Sequence, residues 1–340
     1  MKQHTPDTIK NIALVGHGGS GKTSLAEAML FFSKATDRLG KIADGNTICD
    51  YDAEEMKRKI SLNIALAPLE YEDVKINLID TPGLFDFAGG MSEGIRAADS
   101  VLIVTAAGSG FDVGAEKALK AANARGISRM FAITRCDADN TDFYKTFTAI
   151  KDAVGGAICP VIVPYMDGGK VAAYVNLASR KAFDYSSGEK KEVALPSDPQ
   201  LDEMLDILTE AVASSDDELM EKFFAGETFT REEIIKALNS GVSDGSVIPV
   251  YACAGYTCEA IDMLLDEIVY SAPSAADKAG ENGLPCDENG PLAAICFKTI
   301  ADPFVGKMSF FKVVSGKITS DTPAYNSRTE AVSYTHLTLP

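Results

Sequence analysis

Eight residues near the start of the chain, GHGGSGKT (Gly16–Thr23), have the types and spacing needed to hold a polyphosphate. They match G-x-x-x-x-G-K-S/T and stand directly after a strand-like apolar run and before a helix-like one, SLAEAMLFF. Through His17, Gly18, Gly19, Ser20 and Gly21 the glycines let a loop fold with its backbone amides turned inward towards phosphate oxygens. The helix that follows, with Ser24 in its first turn, offers its positive end to the same charge. Lys22 is expected to reach the β- and γ-phosphates as a point charge, and the Thr23 hydroxyl to ligate Mg²⁺.

Three further pieces stand at strand ends downstream. In DTPG (Asp80–Gly83), the aspartate suits holding a water on Mg²⁺, and the Gly83 amide suits sensing a γ-phosphate. Taken alone, D-T-P-G is also an ordinary turn; after a complete phosphate loop at this distance it reads as a switch. In ITRCD (Ile133–Asp137), the run Thr134-Arg135-Cys136 leads to Asp137, an acceptor for guanine N1–H and N2–H₂. Adenine offers no such donor pair, so a buried carboxylate there would penalise ATP. In YACAG (Tyr251–Gly255), a backbone amide at Ala254 or Gly255 is placed to approach the guanine O6.

These pieces need a scaffold that brings strand ends together. IALV (Ile12–Val15), INLI (Ile76–Ile79), SVLIV (Ser100–Val104) and MFAIT (Met130–Thr134) read as buried strands, with a helix over Gly114–Ala124. Continuous apolar strands separated by helices predict an α/β, mostly parallel sheet with helices on both faces. From 157 to 246 the character changes to an apparent hairpin (VAAYVNLASRKAFDYSSGEKKEVAL) and acidic helices, an α+β insertion. Two of its helix starts carry capping-box patterns, Ser215 with Glu218 and Thr230 with Glu233. The strand IPVYACA and the helix Cys258–Val269 then resume the α/β pattern up to about residue 272. A Pro/Gly/Ala/Asp-rich linker occupies 273–291, and 292–330 reads as the opening strands of a β-barrel.

Composition narrows the classes. The chain of 340 residues is 46% hydrophobic and 24% charged, an ordinary soluble balance. Its net charge of −17 argues against generic nucleic-acid binding, which draws on many lysine and arginine contacts to phosphate. No run approaches the roughly 18 apolar residues of a membrane span. Seven scattered cysteines without a C-x-x-C pair suggest reduced thiols in a cytoplasm, and three distant histidines make a histidine-rich zinc site improbable.

The order of phosphate loop, DTPG, T-R-C-D and ACAG resembles that of translational GTPases, most of all elongation factor G and its relatives. DYDAEEMKRKIS (Asp50–Ser61) resembles the family's switch I, with Ser61 where the family has its Mg²⁺-binding threonine. DTPGLFDF lines up with the family's DTPGHVDF, and the more than one hundred residues between Asp137 and Ala254 fit its inserted subdomain. AAICFKTIADPFVGKMSFFKVVSGKI resembles the start of its second domain, a β-barrel. The resemblance covers roughly residues 9–330 and implies GTP, GDP and Mg²⁺ as ligands and the ribosome as partner, with no membrane and no sequence-specific nucleic acid. Thr23, Ser61 and, through water, Asp80 are then the metal's residues.

Three departures stand out. Leu84 takes the place of the family's water-placing histidine, Thr134-Arg135-Cys136-Asp137 stands for N-K-x-D, and Ala254 replaces the base loop's serine while keeping its amide. Two readings follow: a ribosome-associated GTPase of translation elongation, or a GTP-dependent binding switch with weak hydrolysis. A P-loop kinase or ATPase is disfavoured by Asp137 and DTPG. The family's later domains are expected to be missing, the barrel to be incomplete, and 331–340 to be of foreign origin.

Overall fold

A computed structural model of the chain describes residues 2–278, 284–302, 304, 306–320 and 322–334. It comprises two units, the first ending at Asp277 and the second beginning at Lys278. The first opens with β1 (Ile9–Val15), α1 (Lys22–Phe32), α2 (Ala53–Arg58), β2 (Ala65–Tyr71), β3 (Val74–Asp80) and α3 (Ala88–Ala97). It continues with β4 (Ser100–Ala106), α4 (Val113–Arg125), β5 (Ser128–Thr134), α5 (Phe143–Val154), β6 (Ile158–Asp167), β7 (Lys170–Asn176), β8 (Lys181–Asp184) and β9 (Lys191–Val193). It closes with α6 (Pro199–Ala213), α7 (Asp217–Phe224), α8 (Arg231–Asp244), β10 (Ile248–Ala252) and α9 (Ile261–Ser271).

All ten strands of this unit form one sheet in the order β2-β3-β1-β4-β5-β10-β6-β7-β8-β9. From β3 to β6 the neighbours are parallel; β2 at one edge and β7 to β9 at the other run antiparallel. Every residue of β4 and of β10 is buried, as expected of strands covered on both faces. The parallel strands point their carboxyl ends the same way, so the loops after β1, β3, β5 and β10 gather along one edge of the sheet.

The stretch 157–246 does not build a sheet of its own. Ile158, Val161, Ile162 and Val163 are fully buried, and β6 satisfies its backbone by pairing in parallel with β10, which carries the main sheet into the insertion. The apparent hairpin is a meander of three strands, β7, β8 and β9. Thr230 and Glu233 form the expected capping box at α8. At α7 the cap is Asp216, which accepts from the Glu218 and Leu219 amides, and not Ser215. The Ser215 hydroxyl instead donates back to the Val212 carbonyl (2.7 Å) at the end of α6.

The start of the stretch read as linker belongs to the first unit: the Ala275 amide donates to the Ile9 carbonyl (2.8 Å), and Ser274 is bonded to Asp277. The second unit contains the antiparallel pairs β11 (Ala293–Asp302) with β12 (Gly306–Ser315) and β13 (Pro323–Asn326) with β14 (Ala331–Tyr334). Of the segment 331–340, the first four residues thus form a strand, and 335–340 lie outside the described residues. Among the described residues no helix is long and apolar enough to cross a membrane.

Candidate functional site

The loop from β1 to α1 is laid tightly over the sheet edge. Gly16 has φ +139°, and a Cβ there would collide with the Val104 carbonyl of β4, so no larger residue fits. Lys22, only 6% exposed, donates from Nζ to the Gly16 and His17 carbonyls (3.1 and 2.8 Å), which holds its charge inside the loop. Burial lowers its pKa, opposed by the negative charges of Asp80 and Asp112.

Four oxygen-bearing side chains converge beside it. Thr23 Oγ1, in the first turn of α1, donates to Asp80 Oδ2 (2.6 Å) at the end of β3 and lies 3.1 Å from Ser61 Oγ. Ser61, between α2 and β2, donates to Asp50 Oδ1 (2.7 Å). Asp80 is 2% exposed; burial pushes its pKa up to about 7, against the pull of the Thr23 hydrogen bond and the Lys22 charge. Its second oxygen, Oδ1, is buried without a hydrogen-bond partner. An orphaned carboxylate oxygen beside two hydroxyls is a hard, all-oxygen donor set, which fits Mg²⁺.

The segment carrying Asp50 is pinned by a residue that sequence reasoning missed. Glu27 of α1, 1% exposed, accepts the Ile48 and Cys49 amides at one oxygen (2.6 and 3.0 Å). Nothing in the local pattern distinguishes Glu27 from other polar positions on a helix; only its distant partners do.

The DTPG turn closes the phosphate side. A Cβ on Gly83 would stand 2.7 Å from the Gly18 amide nitrogen and against Lys22 Nζ, so the Gly83 backbone and the loop touch. Leu84 follows, half-buried, with a methyl carbon 2.7 Å from where a Cβ on Gly18 would be. His17 packs its ring edge-on to Phe85 (5.6 Å between centroids), and its Nδ1 is buried without a partner.

At the other end of the loop, Thr134 Oγ1 donates to the Ser20 carbonyl (2.6 Å), and Arg135, at φ +58°, donates from Nη2 to the Gly19 carbonyl (2.7 Å). The T-R-C-D turn is thereby strapped to the phosphate loop. Asp137 is exposed and not buried as expected, because it stands on the turn beyond β5, where Thr257 Oγ1 is the donor that reaches it (3.2 Å). The Ala254 amide is not available to a ligand either, since it donates to the Glu259 carbonyl (3.0 Å). Gly255, whose amide has no protein partner among the described residues, is the better-placed donor. It packs against the first turn of α1, where a Cβ on it would be 3.0 Å from the Ser24 carbonyl oxygen.

The family profile described as Elongation factor Tu GTP binding domain matches residues 7–274. Two curated proteins of Mycobacterium tuberculosis, from strains CDC 1551 and H37Rv and each described as "Elongation factor G-like protein", are 33% identical over 337 residues. Each alignment covers 95% of this chain and 46% of the relative. A crystal structure from Thermus thermophilus superposes with a TM-score of 0.84 at 30% identity, over 94% of this chain and 47% of that one. The chain spans about half the length of the relatives it matches.

Proposed function

The chain belongs to the Elongation factor Tu GTP binding domain family, and from that premise we propose that it binds GTP and GDP with Mg²⁺ and hydrolyses GTP while acting on the ribosome in translation elongation, in the cytoplasm. The observation that carries this reading is the meeting of Lys22, Thr23, Ser61 and Asp80 at one end of the loop with Thr134, Asp137 and Gly255 at the other. Lys22 and the loop amides hold the phosphates, while Asp137 and the Gly255 amide read the base. Thr23, Ser61 and Asp80 would hold Mg²⁺, which when bound offsets charge on the β- and γ-phosphate oxygens. Gly83, which lies against both Gly18 and Lys22, would offer its amide to a γ-phosphate held by Lys22. DTPG and the Asp50–Ser61 segment then differ between the triphosphate and diphosphate states.

Leu84 favours a second reading, a GTP-dependent switch with weak hydrolysis, because its side chain cannot orient water. Phosphate release from GTP, with and without ribosomes, separates the two. Slow release that ribosomes accelerate at least tenfold is expected for the first reading. No acceleration supports the switch, and equal turnover of ATP contradicts both.

A further inference from the structure

The turn after β10 closes on itself. Ala254 and Glu259 exchange both backbone hydrogen bonds (3.0 and 3.1 Å), and Cys258 and Ala260 take φ of +62° and +58°. Residues 255–258 are therefore presented as a fixed loop, and two of its side chains reach other segments. The Tyr256 ring carries the Lys41 ammonium 4.8 Å from its centroid. Thr257 Oγ1 donates to Asp137 Oδ2 at 3.2 Å, across 120 residues of sequence.

Asp137 needs such a partner. An exposed aspartate samples several rotamers, whereas accepting two parallel N–H groups from a guanine edge requires one carboxylate plane. Its chain neighbours do not hold it. Arg135 is engaged with Gly19, and the Cys136 thiol turns inward to donate to the Ile133 carbonyl (3.3 Å). Each carboxylate oxygen has two acceptor sites, so Oδ2 can take the Thr257 proton and a base N–H together.

We propose that Thr257 is a positioning residue for base selection, its hydroxyl fixing the Asp137 carboxylate in the orientation that accepts guanine N1–H and N2–H₂. The proposal rests on the reading of this site as one for guanine nucleotides. The Thr257 hydroxyl also lies beside the Glu259 carboxylate, which accepts from Tyr174 OH (3.0 Å), and one hydroxyl proton serves one carboxylate at a time. The roles of Asp137 and Glu259 must therefore be separated.

Affinities for GDP and inosine diphosphate, which lacks the N2 amino group, are to be measured for the parent, Thr257→Val, Thr257→Ser and Glu259→Gln. Thr257 is exposed, so its substitutions leave the fold intact. The parent is expected to prefer GDP, Thr257→Val to lower the GDP-over-inosine ratio at least fivefold, and Thr257→Ser and Glu259→Gln to keep it. A ratio unchanged within twofold in Thr257→Val, or lowered as much by Glu259→Gln, overturns the proposal while leaving guanine recognition standing. A parent that does not distinguish GDP from inosine diphosphate or ADP overturns the guanine reading and this proposal with it.

Discussion

Leu84 carries neither donor nor acceptor, and one of its methyl groups stands where a side chain on Gly18 would go, so the position after DTPG offers no group to orient attacking water. Positioned acid–base groups contribute about 10²–10⁴-fold, and intrinsic turnover is expected to be low by that order. Leu84→His should raise ribosome-stimulated phosphate release about tenfold or more. An unchanged rate would mean that the reaction here does not depend on a side chain at this position. Lys22, Thr23 and Asp80 are expected together from the sequence because a phosphate-and-metal site calls for these types around strand ends, and Ser61 only through the family resemblance; the structure brings their side chains to one place. Glu27 and Thr257 cannot be expected in that way. Glu27 meets amides 21 and 22 residues away and Thr257 meets a carboxylate 120 residues away, separations that leave no local pattern. That the Ala254 amide is engaged is hidden from the sequence for a related reason: its bond to Glu259 closes a turn whose shape depends on positive φ values at Cys258 and Ala260, which such residues rarely adopt.

Among the elements, the central strands announce themselves as apolar runs because both faces are covered. The edge strand β2 is harder to see: Ala65, Ala67 and Leu69 are buried in alternation, but apolar Leu66 and Pro68 occupy positions between them, so the sequence shows no clean apolar/polar alternation. The insertion changes in composition at 157, yet its first strand joins the main sheet, because parallel pairing with β10 depends on a strand nearly ninety residues further on. The join between α9 and the antiparallel extension contains a buried acid, Glu267, which accepts from Asn176 Nδ2 of β7 (2.7 Å). Burial pushes its pKa up to about 7; Asp266 adds to the rise, while the Asn176 bond and Arg231 oppose it. Between its ordinary value near 4.5 and about 7 the folded chain holds a proton that the unfolded chain has released. The unfolded state then binds fewer protons, so this group's contribution to stability falls as pH rises through that window. Glu267→Gln keeps the acceptor and removes the ionisation. Urea unfolding should show it more stable than the parent at pH 8, by on the order of 2 kcal/mol, and nearly equal at pH 4.5. A gap that failed to grow with pH would contradict the assignment.

At the scale of the whole molecule, every side chain assigned to the nucleotide lies in the first unit, which ends at Asp277. The second unit contributes strands consistent with a barrel start. The net charge of −17 sets encounter rates and solubility and does not alter the local chemistry, where Lys22 is the buried cation of the loop. The central claim is that the loop at Gly16–Thr23 and the turn at Asp137 together make one guanine-nucleotide site. The most direct test is calorimetric titration of the full chain with GDP and with ADP in Mg²⁺, beside Lys22→Ala. GDP should bind at least a hundredfold more tightly than ADP, and Lys22→Ala should lose about 1.5–3 kcal/mol of GDP affinity with its charge-assisted contact. Equal binding of GDP and ADP, or GDP binding untouched by Lys22→Ala, would contradict it.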